Sequence, residues 1–88
     1  MVLTKTDRRF VVLGGSGAIG RIVVRDLFES DPKNRIVIAD FNDKAAQTYA
    51  RQFRSSRVSA VHADATQPRK LAGTLQDQSV VINCTRLL

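Results

Sequence analysis

Short runs of continuous apolar residues alternate along the chain with longer stretches in which apolar residues recur every three or four positions. The continuous runs are residues 10–13, 36–39, 58–61 and 79–83. Such runs are typical of strands that are buried on both faces of a sheet. The run at 58–61 is more polar than the others, so we expect it to be an edge strand.

The intervening stretches have the period of amphipathic helices. The first helix is expected to begin at Ala18 and to end before Pro32, which cannot continue a helix. The second begins at Asn42 or Asp43, either of which can act as its N-cap, and ends before a Ser-Ser pair. A shorter third helix is expected to begin at Thr66.

The resulting order of elements, βαβαβαβ, predicts an α/β protein with a parallel sheet and right-handed crossovers. We expect a strand order of 3-2-1-4, with the first two helices on one face of the sheet and the third on the other. We expect the 88 residues to form one domain, 1–88, and we expect this domain to be incomplete. This arrangement would leave apolar sheet surface and the edge of strand four exposed, so we expect a homodimer that buries this edge or face.

The composition is that of a soluble globular protein, with 43% apolar and 25% charged residues. No apolar run approaches the roughly 20 residues that span a bilayer, and the first residues lack the apolar centre of a signal peptide. We therefore expect a cytoplasmic protein with no membrane partner. Cys84 and His62 are the chain's one cysteine and one histidine, which argues against disulfides and a metal site.

The chain carries 14 basic and 8 acidic side chains, for a net charge of +6. Such a charge is compatible with nucleic acid, an anionic membrane or a phosphorylated small molecule as partner. The arginines are scattered and aromatic residues make up only 6%, which favours a solvated surface over a nucleic-acid site. We expect no nucleic-acid partner.

Gly15, Gly17 and Gly20 form a G-x-G-x-x-G motif directly after the first predicted strand and at the start of the first helix. Gly15 is expected to permit the tight turn, Gly17 to let the backbone approach a pyrophosphate, and Gly20 to let helix and strand pack closely. Amides at the helix N-terminus would then face the anion. The alternative is a glycine-rich connection without a ligand.

Asp40 ends the second predicted strand, 20 residues after Gly20, where an acid can bind the hydroxyls of the adenosine ribose. A 2′-phosphate there would be repelled by about 4 kcal/mol, taking unit charges about 4 Å apart near a protein surface. Asp40 therefore favours NAD over NADP, although Lys44 or a more distant arginine could still reach a phosphate. Asp40 can also serve as a turn or capping residue.

Two further strand ends point to the same crevice, because ligands of open α/β sheets bind beyond the carboxyl ends of the strands. The segment after strand three is expected at the adenine edge, with a turn role for Asp64 as an equal alternative. The segment after strand four is expected along the pyrophosphate or nicotinamide ribose. The complete predicted cofactor site is Gly15, Ser16, Gly17, Ala18, Ile19, Gly20, Asp40, Asp64, Ala65, Asn83, Cys84 and Thr85. Cys84 is expected to be a packing residue, not a nucleophile.

The segments VVLGGSGAIGRIVVRDL, IVIADFNDKAAQTYA and VHADATQPRKLAGTLQDQSVVINCT resemble the N-terminal NAD(P)-binding Rossmann domain of the saccharopine dehydrogenase family. The resemblance spans about residues 9–85 and implies a Rossmann-like three-layer half-fold. It also implies an oxidoreductase that transfers hydride to or from a nicotinamide cofactor. In that family the glycine loop holds the pyrophosphate, the acid after strand two selects the ribose, and the segment like 81–85 borders the cofactor. Family members continue into a substrate domain, so we expect the catalytic residues beyond residue 88 and assign none here.

Two other functions remain open. Gly14, Gly17 and Gly20 also fit G-x-x-G-x-x-G, which is similar to atypical short-chain dehydrogenases and epimerases. The Tyr-x-x-x-Lys pair of their classical members is absent, since Tyr49 is followed four positions later by Phe53. A non-catalytic nucleotide-sensing module, similar to the ligand-binding domains of potassium-uptake regulators, would use the same half-fold.

Overall fold

A computed structural model of the chain describes residues 8–64, 66–67 and 80–85. The elements are β1 (Arg8–Leu13), α1 (Ala18–Ser30), β2 (Asn34–Asp40), α2 (Asp43–Gln52), β3 (Val58–His62) and β4 (Val80–Asn83). All four strands are parallel and lie in the order β3-β2-β1-β4. The predicted α/β half-fold and its strand order are confirmed. The predicted third helix lies outside the described residues.

The strands extend beyond the apolar runs that predicted them, because backbone pairing does not require apolar side chains. Arg8 pairs with Asn34 and Asp40 pairs with His62, although none of these residues is apolar. The helix bounds agree with the sequence pattern, since α1 begins at Ala18 and α2 follows an Asn N-cap. The side chain of this N-cap, Asn42, accepts a hydrogen bond from the amide of Ala45 at 3.0 Å, as a capping residue does.

The larger core cluster lies between one face of the sheet and both described helices. It contains Val12, Val24, Ile36, Ile38, Ala46, Tyr49, Ala50 and Val58. The first two helices therefore cover the same face, as the strand order predicted. Phe28 of α1 and Phe53, which caps α2, stack with ring centroids 4.9 Å apart, and such a pair adds to the free energy gained from buried area.

A smaller cluster covers the opposite face and contains Val11, Leu13, Ala39 and Ala63. All four residues are buried, so the apolar sheet surface that was expected to be exposed is not exposed at these positions. Two of the exposed apolar residues lie at the sheet edge, where Val80 and Val81 of β4 are 51% and 41% exposed. The predicted exposure is therefore present at strand four.

Arg57 joins the C-terminal end of α1 to the sheet. Its guanidinium donates hydrogen bonds to the carbonyls of Phe28, Asp31 and Asn34 and lies 4.0 Å from the centre of the Phe28 ring. The last carbonyls of a helix lack partners within the helix, and this arginine supplies one. Arg57 is thus a structural residue, in contrast to the solvated arginine surface that the sequence predicted. Neither described helix is both long and apolar enough to cross a membrane.

Candidate functional site

The carboxyl ends of the four strands meet at one edge of the sheet. The hydrogen bonding between neighbouring strands continues one residue beyond the strand ends. Three backbone amides donate these bonds: Gly14 N–H to Ala39 O at 2.7 Å, Ala63 N–H to Asp40 O at 3.0 Å and Cys84 N–H to Leu13 O at 2.8 Å. The segments that follow the strands are therefore held side by side. This is the edge at which open α/β sheets bind their ligands.

A cavity of about 970 Å³ opens at this edge. The predicted site residues that line it are Gly17, Ala18, Ile19, Asp40, Asp64, Asn83, Cys84 and Thr85. Residues from the ends of all four strands and from the start of α1 thus come together as predicted. The volume of the cavity falls within the range of small-molecule binding sites.

Among the described residues, three of the predicted site do not line the cavity, and a fourth predicted residue is not described. Gly15 and Gly20 are buried beneath the cavity, Ser16 contacts Asp40, and Ala65 lies outside the described residues. Six further residues line the cavity and were not part of the predicted site: Leu13, Gly14, Ala39, Phe41, Ala63 and Thr66. Except for Thr66, these residues lie at or within two positions of a predicted strand end, which was the signal that could have identified them. Phe41, directly after Asp40, is 68% exposed, and its ring centre lies 5.6 Å from that of His62.

The turn after β1 requires glycine at Gly14, not at Gly15. Gly14 has φ +76°, a conformation that L side chains rarely adopt, and a Cβ there would lie 3.2 Å from the backbone of Cys84. The expected turn role of Gly15 is therefore wrong. Gly15 has no room for a Cβ, which is a different reason for glycine at this position. A Cβ there would lie 2.9 Å from the Ile38 side chain and 3.0 Å from the Val12 carbonyl oxygen.

Gly20 packs α1 against the glycine turn. A Cβ at Gly20 would lie 2.6 Å from Cα of Gly15 and closer still to the carbonyl oxygen of Gly14. Side chains cannot be accommodated at such distances from backbone atoms, which do not move aside cheaply. The expected role of Gly20 in close packing is confirmed.

Gly17 differs from the other two glycines of the motif because it faces the cavity. It is exposed, and the nearest atom to a Cβ at this position would be Gly14 O at 3.4 Å. Gly17 is also the N-cap of α1, with no side-chain cap and no acidic residue in the first turn. The amides of a helix's first turn have no partners within the helix and carry the positive end of its dipole. This end of α1 suits an anion.

The carboxylate of Asp40 is held by three donors. Its Oδ2 accepts hydrogen bonds from the Ser16 hydroxyl at 2.5 Å and from the Ser16 amide at 3.1 Å, and its Oδ1 accepts one from the Asn42 amide at 3.1 Å. The contact with Asn42 is the turn role that the sequence left open. The contact with Ser16 ties the end of β2 to the glycine turn and brings an anionic acceptor to the cavity.

Asp64 lines the cavity and also stabilises a local turn. Its carboxylate accepts hydrogen bonds from the Thr66 hydroxyl at 2.6 Å, the Thr66 amide at 2.9 Å and the Gln67 side chain at 3.3 Å. The side-chain and backbone hydrogen bonds of Thr66 lower the pKa of Asp64 below its usual value. The turn alternative is confirmed, and a contact with the adenine edge stays a prediction.

The segment after β4 closes the opposite side of the cavity. Asn83 Oδ1 accepts hydrogen bonds from the Thr85 amide at 2.9 Å and the Thr85 hydroxyl at 2.7 Å. Cys84 is half-buried and packs against the larger core cluster, in agreement with a packing role. Polar atoms of this segment therefore lie beside the glycine turn.

Two comparisons identify similar proteins. The family model of the saccharopine dehydrogenase NADP binding domain matches residues 10–86. A crystal structure of dTDP-glucose 4,6-dehydratase from Bacillus anthracis str. Ames, in complex with NAD, superposes with a TM-score of 0.72 and 17% sequence identity over 89% of this chain. At this identity the similarity shows the fold, and the chain spans only 26% of the length of that dehydratase.

Proposed function

Because the chain belongs to the family of saccharopine dehydrogenase NADP binding domains, we propose that its cavity holds NAD for a hydride-transferring oxidoreductase. The observation that supports this function best is the meeting of three features at one cavity: the Gly17 backbone, the N-terminus of α1 and the Asp40 carboxylate. A cytoplasmic location stays a prediction.

The pyrophosphate is assigned to the start of α1. Gly17, Ala18 and Ile19 line the cavity there, and the bare backbone at Gly17 lets an anion approach the first-turn amides. Gly15 and Gly20 lie beneath them, and Gly14, which also lines the cavity, shapes the turn. Of these four glycines, Gly17 is the one assigned to close approach of the pyrophosphate, and the other three build the turn and seat the helix.

The adenosine ribose is assigned to Asp40. A carboxylate has about four acceptor sites, so acceptor capacity remains for ribose hydroxyls beside the three donors that Asp40 already has. A 2′-phosphate would meet a like charge, at a cost of about 4 kcal/mol for unit charges about 4 Å apart. The family's name includes NADP and the dehydratase holds NAD, so the assignment of NAD to this chain depends on Asp40.

The two remaining parts of the cavity are assigned to the ends of the dinucleotide. The exposed ring of Phe41, with Ala63 and Asp64, offers an apolar wall and an acceptor for adenine. Asn83 and Thr85 lie on the side assigned to the nicotinamide ribose. When bound, the nicotinamide ring supplies the hydride chemistry. The described residues bind and orient the cofactor, and we assign none of them to catalysis.

An amide-shift NMR titration with NAD, NADP and ADP-ribose tests this function. We expect NAD and ADP-ribose to shift the amides of Gly17, Ala18 and Asp40 and to bind at least about tenfold more tightly than NADP. ADP-ribose should match NAD because the assigned contacts lie on the adenosine and pyrophosphate half. Absence of shifts at millimolar NAD would refute the proposed site. Equal binding of NADP would refute only the assignment to Asp40.

A homodimer through β4 is a separate proposal, supported by the exposure of Val80 and Val81 at the sheet edge. Open strand edges pair readily with other chains. We expect light scattering to give the mass of a dimer, and Val81→Lys to give a monomer because a lysine would be buried in the contact. Ser56→Lys, which adds the same charge to an exposed turn, should remain dimeric. A monomeric wild type at high concentration would contradict the proposal.

A further inference from the structure

Ser16 makes an unusual pair of contacts at the edge of the cavity. Its hydroxyl and its amide donate hydrogen bonds to the same oxygen of Asp40, at 2.5 Å and 3.1 Å. Both bonds have an ionised acceptor, which makes them stronger than bonds between neutral groups. They are also partly buried, so water competes with them less than it does at an exposed site. Ser16 therefore fixes the direction in which this carboxylate points.

The backbone of Ser16 is itself fixed from the opposite side. Arg21 Nε donates a hydrogen bond to the Ser16 carbonyl at 2.9 Å, and the Arg21 guanidinium lies 4.5 Å from the centre of the Tyr49 ring. Tyr49 belongs to the larger core cluster, and its hydroxyl donates to the carbonyl of Arg21 at 3.0 Å. A chain of contacts thus runs from the packed core through Arg21 and Ser16 to Asp40.

We propose that Ser16 is a positioning residue that holds the Asp40 carboxylate at the ribose site and thereby increases the preference for NAD over NADP. This inference rests on the proposed function. Ribose hydroxyls can bind to a carboxylate held in this orientation, whereas a 2′-phosphate can enter only if the carboxylate turns away. That movement breaks both hydrogen bonds from Ser16, which opposes binding of NADP.

Removal of the Ser16 hydroxyl should weaken the preference for NAD over NADP in two ways. Without it, the Asp40 carboxylate keeps one donor on Oδ2 and turns away from a 2′-phosphate more easily. The same freedom makes the carboxylate a less ordered acceptor for ribose, so NAD binds more weakly. If Ser16 instead competed with the ribose for Asp40, loss of the hydroxyl would tighten NAD binding. The sign of the change separates the two roles.

The test compares dissociation constants for NAD and NADP in wild type, Ser16→Ala, Ser16→Thr and Ser56→Ala. We expect Ser16→Ala to lower the NAD-to-NADP preference about tenfold, as the loss of one hydrogen bond to a charged group implies. Ser16→Thr keeps the hydroxyl and should restore most of the preference. Ser56→Ala makes the same chemical change at an exposed turn and should leave it unchanged. A general loss of structure would weaken both cofactors together and would not be rescued by threonine.

The outcomes distinguish this inference from the proposed function. An unchanged preference in folded Ser16→Ala, or tighter NAD binding, would overturn the role of Ser16 while the wild type still bound NAD. A wild type that binds neither dinucleotide would overturn both proposals. Amide spectra of the ligand-free variants establish that each is folded. Should Ser16→Ala fail this check, Ser16→Gly removes the hydroxyl in the same way and carries the same expectation.

Discussion

Replacing Gly20 with alanine is expected to destabilise the domain by about 3 kcal/mol. A Cβ at this position would lie 2.6 Å from Cα of Gly15 and 2.8 Å from the carbonyl carbon of Gly14. Both atoms belong to the backbone of the turn, so relief requires α1 to move away from the sheet. Alanine is favoured over glycine inside a helix by about 1 kcal/mol, which is too small to offset the clash.

Urea unfolding of wild type, Gly20→Ala and Gly17→Ala measures this effect. Gly17→Ala makes the same chemical change three residues earlier, where the nearest atom would be Gly14 O at 3.4 Å. We expect it to change the free energy of unfolding by no more than about 1 kcal/mol, the usual scale for an N-cap substitution. Similar stabilities for the two variants would contradict the assignment of Gly20 to close packing.

The parallel sheet was predictable from sequence because it follows from the alternation, and the glycine motif after strand one favours the order 3-2-1-4 of dinucleotide-binding folds. Apolar runs that alternate with stretches of helical periodicity indicate parallel strands joined by right-handed crossovers. These two constraints leave few possible topologies. The ends of the strands were less predictable. Arg8 and Asn34 extend β1 and β2, since backbone pairing continues through polar residues that carry no apolar signal.

The glycine motif was located correctly, but one role was assigned to the wrong residue. Three closely spaced glycines, at 14, 15 and 17, can each satisfy a turn. The left-handed conformation falls on Gly14, which also lies against the backbone of Cys84. Cys84 is 70 residues away in the chain, and no pattern near the motif carries information about that contact.

The contact between Ser16 and Asp40 was unpredictable for a similar reason. Asp40 was identified from its position at the end of a strand, which needs only local sequence and topology. The contact with Ser16 depends on how the turn folds back over β2, across a separation of 24 residues. The structural role of Arg57 likewise depends on the position of the carbonyls at the C-terminal end of α1, which the local sequence does not specify.

Replacing Gly17 with valine is expected to weaken NAD binding at least about 100-fold, or about 2.7 kcal/mol, while the domain stays folded. The backbone of Gly17 has φ −80° and ψ 178°, an extended conformation that β-branched residues adopt without strain. The added side chain has, among the described residues, Gly14 O as the nearest atom to its Cβ, at 3.4 Å. It would instead project into the space assigned to the pyrophosphate.

Titration of folded Gly17→Val with NAD, beside Thr48→Val, provides the measurement. Thr48 is an exposed residue of α2 that does not line the cavity, so its replacement controls for an added valine and should leave NAD affinity unchanged. Undiminished NAD binding by Gly17→Val would place the pyrophosphate elsewhere. Gly20→Ala tests stability and Gly17→Val tests binding, so the two variants separate the structural from the ligand-binding part of one glycine motif.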